Sequence, residues 1–225
     1  MQMANNLPDL IVRAVYELDK RGLNRGSSGN CSARINDTSF LITPSGIASA
    51  EVTSDLLVLV QLNTESEPAL HEWQGRTYRA SSEWRFHRDI YRSRPDVNSI
   101  VHVHSTFATA LACARRGIPA FHYMVAIAGG ADIRCAKYAT YGTQELSDSV
   151  ILALRDRTAC LVENHGMIAI GSTTSTAVAT AIEVEALAQQ YLLSMVVGGP
   201  ELLSIEQMTA VLSKFAEYKQ LKGTT

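Results

Sequence analysis

Apolar positions along this chain recur first with a helical period and then with a strand period. Leu7, Leu10, Ile11, Ala14 and Leu18 fall on one face of a 3.6-residue repeat, and Gly22 follows as a stop, which predicts a helix over residues 7–21. Three short β-rich runs come next: Cys31 to Ile35, Ser39 to Thr43 and Leu56 to Leu62, punctuated by Asn-Asp, Pro-Ser-Gly and Asn-Thr turn signals. The pattern then predicts a helix over 82–93 opened by two serines, a strand over 98–104 and a helix over 106–116. Beyond the Gly129-Gly130 pair, helical spacing returns at 143–155, and two apolar runs at 159–163 and 167–170 read as strands that pair. Two helices close the chain. One covers 175–197 and is halted by Gly198, Gly199 and Pro200; the other covers 205–221 and is opened by a Ser204/Gln207 capping box. The Ala/Leu stripe of the first is read as core or subunit packing. Helices at both ends and in the middle, with strands between, predict one three-layer α/β/α domain over residues 1–225. Several strands are joined by short turns in place of helical crossovers, so the central sheet should be mixed and largely antiparallel.

Composition narrows the function classes. With 20 Lys+Arg against 22 Asp+Glu there is no basic excess to grip a phosphate backbone, and nucleic acid is not an expected partner. A hydrophobic content of 46% with 19% charged residues excludes a disordered chain. No apolar run approaches the roughly 20 residues of a bilayer span, so no membrane association is expected. The N-terminus, MQMANNLPDL, lacks the basic and apolar segments of a secretion signal, and a soluble cytoplasmic protein is the expectation. Cys31, Cys113, Cys135 and Cys160 are widely spaced with no CxxC, and read as buried reduced thiols.

The sharpest chemical signal is His102-Val103-His104 inside the strand NSIVHVH. Side chains on a strand alternate, so both imidazoles leave one face while Val101 and Val103 leave the other. That is a ready-made ligand pair; a catalytic zinc site takes three protein ligands and keeps a fourth position open. His165, in the turn Glu163-Asn164-His165-Gly166 between two apolar strands, is the best third ligand. A second signal is Ser81-Ser82-Glu83, where two hydroxyls and the free N–H groups of a helix N-terminus favour a dianion. The plainer reading is a Ser82 cap with Glu83 complementing the helix dipole. The loops Ser27-Ser28-Gly29-Asn30 and Thr43-Pro44-Ser45-Gly46 match no nucleotide fingerprint but are rich in small donors suited to a phosphate. His87, four residues past Glu83, is placed to orient that carboxylate or simply to pack. His71 reads as solvated in a polar loop and His122 as structural.

Taken together, GNCSARI, LITPSGI, SSEWRFH, VNSIVHVHS, IPAFHYMVAIAGG, CAKYATYGT and ENHGMIAIG resemble the class II aldolase/adducin family, in the family's order and spacing, from about Leu7 to Tyr218. The resemblance is nearest to its aldolases of L-fuculose 1-phosphate. It implies a homotetramer with active sites between subunits. It implies one Zn²⁺ per subunit on His102, His104 and His165, with Glu83 filling the open position when substrate is absent and acting as acid/base. It further implies a phosphate site built from Asn30, Ser45, Gly46, Ser81 and Ser82, a catalytic Tyr123 supplied to the adjacent subunit, and an aldehyde pocket and lid at Tyr141 and Tyr218. The implied reaction is reversible cleavage of a ketose 1-phosphate to dihydroxyacetone phosphate and an aldehyde such as lactaldehyde. Breaking the C3–C4 bond leaves an enediolate, and a Lewis acid spreads that charge.

Four positions depart from the pattern: Glu163 and Asn164 before His165, Tyr141 where phenylalanine is common, and Lys137 in place of proline. They leave aldehyde preference open between lactaldehyde and the products of 5-deoxyribulose or 5-methylthioribulose 1-phosphate. Rival readings are a pentulose-phosphate 4-epimerase, where aspartate would be expected at position 83, a dehydratase or decarboxylase on the same scaffold, and a non-catalytic adducin-like interaction module. Retention of three histidines, Glu83 and Tyr123 opposes the last of these.

Overall fold

The computed structural model describes residues 6–223. In chain order its elements are α1 (Leu7–Lys20), β1 (Asn30–Asn36), β2 (Ser39–Ile42), β3 (Val58–Gln61), β4 (His71–Trp73), β5 (Arg76–Tyr78), α2 (Trp84–Ser93) and β6 (Ser99–Val103). There follow α3 (Thr106–Cys113), β7 (Arg134–Ala136), α4 (Gln144–Ala153), β8 (Ala159–Val162), β9 (Gly166–Gly171), α5 (Thr174–Val196) and α6 (Ile205–Gly223). A seven-stranded sheet in the order β3-β2-β1-β6-β9-β8-β7 forms the middle layer. Every pairing in it is antiparallel except β7 with β8, as the short turns predicted.

The period of two on β6 sorts the layers. Ile100 and His102 face the side where Phe40, Ile42, Ile168 and Ile170 pack under α2 and α4. Val101 and Val103 face the opposite core with Ala33, Met167 and Ala169, covered by α1, α3 and α5. Helix α1 starts where Asn6 Oδ1 accepts the Asp9 N–H at 3.0 Å, and it buries Ile11, Ala14, Val15 and Leu18. The Ser204/Gln207 box at the start of α6 forms in both directions, at 2.8 and 3.2 Å. Helix α3 is started from outside: the Glu185 carboxylate, on α5, accepts the Phe107 and Ala108 N–H groups at 2.9 Å and the Ser105 hydroxyl at 2.6 Å. An anion there offsets the positive end of the helix dipole and ties the exit of β6 to the opposite layer.

Several expectations need correction. The helix expected over 82–93 begins only at Trp84 and that over 106–116 ends at Cys113. The strand expected from Leu56 shortens to β3 because Ser54–Leu56 forms a 3₁₀ turn. The β4–β5 hairpin, β7 and the 3₁₀ turn Tyr123–Ala128 had no strong signal. His71 is half-buried in β4, its Nε2 2.6 Å from the Asp55 carbonyl, so it has a backbone partner besides its exposed surface. Cys31 and Cys160 are buried as expected, but Cys113 is exposed because it closes the short helix α3. Among the described residues all four cysteines are free and no helix is long and apolar enough to cross a membrane.

Candidate active site

Strand β6 and the β8–β9 hairpin bring three imidazoles together. His102 and His104 leave the same side of the chain, and His165 reaches them from the turn between Val162 and Gly166, which pair directly. The turn is tight enough to need a left-handed residue, and Asn164 takes φ of +55°, a conformation asparagine tolerates better than most side chains. Ring centroids lie 4.7, 4.8 and 4.9 Å apart, and one ligand nitrogen from each ring lies within 4.8 Å of the other two. His102 Nδ1 donates to the Met167 carbonyl at 2.9 Å, which orients the ring and aims Nε2 into the cluster. Gly166 is needed for this packing: a Cβ there would stand 2.5 Å from the Val103 carbonyl oxygen and 2.9 Å from His104 Cδ2.

Glu83 completes the cluster from the other side. It precedes the first residue of α2, so its side chain is not committed to the helix and makes no cap. Oε2 accepts from Asn30 Nδ2 at 2.9 Å and lies 3.1 Å from His102 Nε2. Oε1 is 3.3 Å from His165 Nε2 without hydrogen-bond geometry and is a buried oxygen with no hydrogen-bond partner. Ser82 does not cap α2, so the plainer reading of the serine pair fails here; instead the Glu83 N–H meets Ser81 Oγ at 3.4 Å.

Electrostatics fit a cation held at this point. Burial would raise the Glu83 carboxyl, but His102 and His165 nearby and the Asn30 hydrogen bond outweigh it and hold the group well below the usual carboxylate range. Burial, then the neighbouring rings, pushes His104 down to about 4; burial and His102 do the same to His165. Burial would lower His102 as well, but the Glu83 carboxylate outweighs it and raises that ring; three imidazoles facing one another around an orphaned carboxylate oxygen are, once His102 gives up its proton, the donor set of a divalent metal.

Beside the cluster opens a cleft of about 390 Å³. Its near wall carries Ser27, Ser28, Gly29 and Asn30 with Ser45, Gly46, Ser81 and Ser82; Tyr138, Ala139 and Tyr141 form the rim, and Glu83, His104 and His165 the floor. A bridge between Pro44 and Ala80, with Ser45 N to Arg79 O at 2.9 Å and Ser81 N to Thr43 O at 3.1 Å, sets the two serine loops side by side. Among the described residues, no lysine or arginine lines this cleft.

The predicted residues do not all converge. Tyr123 and Tyr218 lie in a separate apolar cavity with Met124, Val211, Lys214 and Phe215, outside the cleft of their own chain. His122 accepts the Met124 N–H at 3.2 Å and opens the 3₁₀ turn, as its structural reading predicted. Lys137 is exposed and reaches Glu163 at 3.2 Å, while the other Glu163 oxygen accepts the Tyr138 N–H at 3.1 Å. Lys137 and Glu163 thus join the His165 turn to the rim loop. His87 is fully buried, with Nε2 on Asn30 Oδ1 at 2.5 Å and Nδ1 on Ser32 Oγ at 2.7 Å. Sequence reasoning missed Tyr138, whose signal was its place three residues before Tyr141, and Ser32, two residues along β1 from Asn30 and therefore on the same face.

A mixed sheet carrying a three-histidine cluster and a carboxylate beside a donor-lined cleft is the layout of a metal-dependent enzyme. Residues 9–192 match the family model described as Class II Aldolase and Adducin N-terminal domain, and the chain belongs to this family. It is an enzyme of the class II aldolase type, a metal-dependent class for which the three histidines could hold the metal.

Over 208 residues it is 47% identical to the 5-methylthioribulose-1-phosphate/5-deoxyribulose-1-phosphate aldolase of Rhodospirillum rubrum, covering 92% of this chain and 90% of that one. Over 215 residues it is 44% identical to the L-fuculose phosphate aldolase of Escherichia coli K12, covering 95% and 96%. A solved L-fuculose 1-phosphate aldolase superposes with a TM-score of 0.86 at 35% identity, covering 95% of this chain and 98% of that chain.

Proposed function

We propose that this enzyme reversibly cleaves a ketose 1-phosphate to dihydroxyacetone phosphate and an aldehyde, using one Zn²⁺ per subunit held by His102, His104 and His165. Glu83 takes the remaining position when substrate is absent. The substrate is L-fuculose 1-phosphate or a related 5-deoxy- or 5-methylthio-pentulose 1-phosphate, which are the classes named for its relatives. The observation that carries this reading is the orphaned Glu83 oxygen among three converging imidazoles, one wall away from a cleft lined with neutral donors.

When bound, the metal supplies Lewis acidity toward the ketose oxygens and spreads the negative charge left by carbon–carbon cleavage. Asn30, Ser45, Gly46, Ser81 and Ser82 hold the phosphate with hydroxyl and N–H donors, helped by the N-terminus of α2. In cleavage, the phenolate of Tyr123 of the partner subunit takes the proton of the C4 hydroxyl as the C3–C4 bond breaks, and Glu83, which carries a proton in this direction, delivers it to C3. Condensation runs the same transfers backwards, with Glu83 as base at C3 and the tyrosine as acid at the aldehyde oxygen. Tyr123 and Tyr218 are 51% and 66% exposed and lie away from their own cleft, which supports a homotetramer in which they complete a neighbour's site. Tyr141, with Tyr138, walls the aldehyde end, where aromatic faces suit a methyl or methylthio tail.

The test is condensation of dihydroxyacetone phosphate with lactaldehyde, glycolaldehyde, acetaldehyde and methylthioacetaldehyde, before chelation, after it, and after added Zn²⁺. Loss on chelation with recovery on zinc is expected. Full activity without metal rejects the mechanism. Failure of the zinc-loaded enzyme to condense any of the four moves the assignment to 4-epimerase or decarboxylase chemistry.

A further inference from the structure

The face of the sheet that carries the cluster also carries a buried chain of hydrogen bonds running away from it. Asn30 and Ser32 are two residues apart on β1, and Asn30 pairs across the sheet with His102. Opposite them, His87 and Tyr91 stand four apart on α2, one stripe with Glu83. The contacts run from Glu83 Oε2 to Asn30 Nδ2 at 2.9 Å, Asn30 Oδ1 to His87 Nε2 at 2.5 Å, His87 Nδ1 to Ser32 Oγ at 2.7 Å and Ser32 Oγ to Tyr91 OH at 2.8 Å. Phe86 stacks on His87 with centroids 4.6 Å apart and meets His102 edge-on at 5.7 Å.

Donor and acceptor roles in this chain follow from its ends. An ionised carboxylate only accepts, so the Asn30 NH₂ must face Glu83 and the Asn30 carbonyl must face His87. His87 Nε2 therefore carries the proton, and Nδ1 is left as an acceptor for the Ser32 hydroxyl. That uses the one proton of Ser32, so Tyr91 donates to it. Every group has its partner with one direction of donation, and turning the Asn30 carboxamide over would set acceptor against acceptor at Glu83 and donor against donor at His87.

We propose that His87 is a positioning residue, which through Asn30 fixes the Glu83 carboxylate against the three histidines and is itself held in one tautomer by Ser32 and Tyr91. This rests on the assignment of Glu83 as acid/base, and Asn30 stands where it can couple that carboxylate to the phosphate loop that it closes.

The experiment pairs two substitutions of similar polarity that keep different ends of the ring. His87→Gln retains a donor near the Nε2 position and should keep kcat within about threefold. His87→Asn reaches only the Nδ1 position and should lower kcat by about 10- to 100-fold, with KM for the ketose phosphate changed less than twofold and zinc content unchanged. The rate of solvent deuterium exchange into C3 of dihydroxyacetone phosphate should fall in parallel with kcat.

An independent readout does not need turnover: ¹⁵N shifts of histidine-labelled holoenzyme should give His87 as the neutral Nε2–H tautomer. Equal kcat losses in the two variants at equal zinc content, or an Nδ1–H tautomer, overturns the proposal. If the wild type turns over no sugar phosphate, the functional assignment fails, and the tautomer still decides whether the relay has the stated direction.

Discussion

Gly166→Ala offers a severe test of the geometry, because it adds one carbon at a position with ordinary backbone torsions and removes nothing. The new Cβ would stand 2.5 Å from the Val103 carbonyl oxygen, 2.9 Å from His104 Cδ2 and 3.4 Å from His102 Cε1. Contacts below 3.0 Å cannot persist, so β6 and β9 must part locally to free the Val103 carbonyl, and the His104 ring must give way as well. Overpacking of this kind costs about 1–3 kcal/mol. For a chain of this size that is a fall of roughly 2–12 °C in the unfolding midpoint, at about 2–4 °C per kcal/mol. The larger effect should be on function, since a ligand displaced by about 1 Å can cost on the order of a hundredfold in rate. Calorimetry of the metal-free protein reads the first quantity, and competition with a chromophoric chelator together with retro-aldol rates reads the second. A variant that binds zinc within twofold of wild type and turns over at the parent rate would show that His102, His104 and Gly166 do not share the crowded arrangement described above.

Three further outcomes are expected. Glu83→Gln should retain zinc and lose about 10²- to 10⁴-fold in turnover, the range for removal of a general acid/base; loss of metal with the activity would assign Glu83 to ligation alone. Tyr123→Phe should slow carbon–carbon bond formation more than C3 proton exchange, and an equal drop in both rates would exclude it as the acid at the aldehyde oxygen. His87 should make the fold acid-sensitive. Burial pushes it from 6.5 down to about 3, so in this window the unfolded chain binds a proton that the folded one refuses. Its contribution to stability is full above pH 6.5 and is lost as pH falls, by at most about 1.4 kcal/mol per pH unit. Urea unfolding of wild type and His87→Gln should therefore give curves that converge between pH 7 and 4, and parallel curves would contradict it.

The three-histidine cluster was legible because two of its members need only a strand's alternation and the third only a short turn between two apolar runs. The side of the sheet they face was likewise set by period two, with Ile100 beside His102 and Val101 beside Val103. What could not be read was lateral order. Asn30 and His102 are neighbours only because β1 lies beside β6, a pairing that no local spacing encodes. For that reason the sequence assigned Asn30 to a phosphate loop and left His87 between two readings, while Ser32 and Tyr91 drew no notice. The orientation of Glu83 depends on α2 starting two residues later than the serines suggested. Strands β5 and β7 have three residues each, too few for a period to emerge, although Gln74-Gly75 marks the β4–β5 turn with two positive φ values.

The donor-lined wall of the cleft has a consequence for how the enzyme meets a crowded anionic solution. A phosphate gripped by lysine or arginine feels every dissolved salt, whereas hydroxyl and amide dipoles act over a few ångströms and have no ionic atmosphere to lose. Recognition of this sort rewards shape over charge, so under the proposed reaction ordinary anions should compete poorly and the triose product should leave without an ion pair to break.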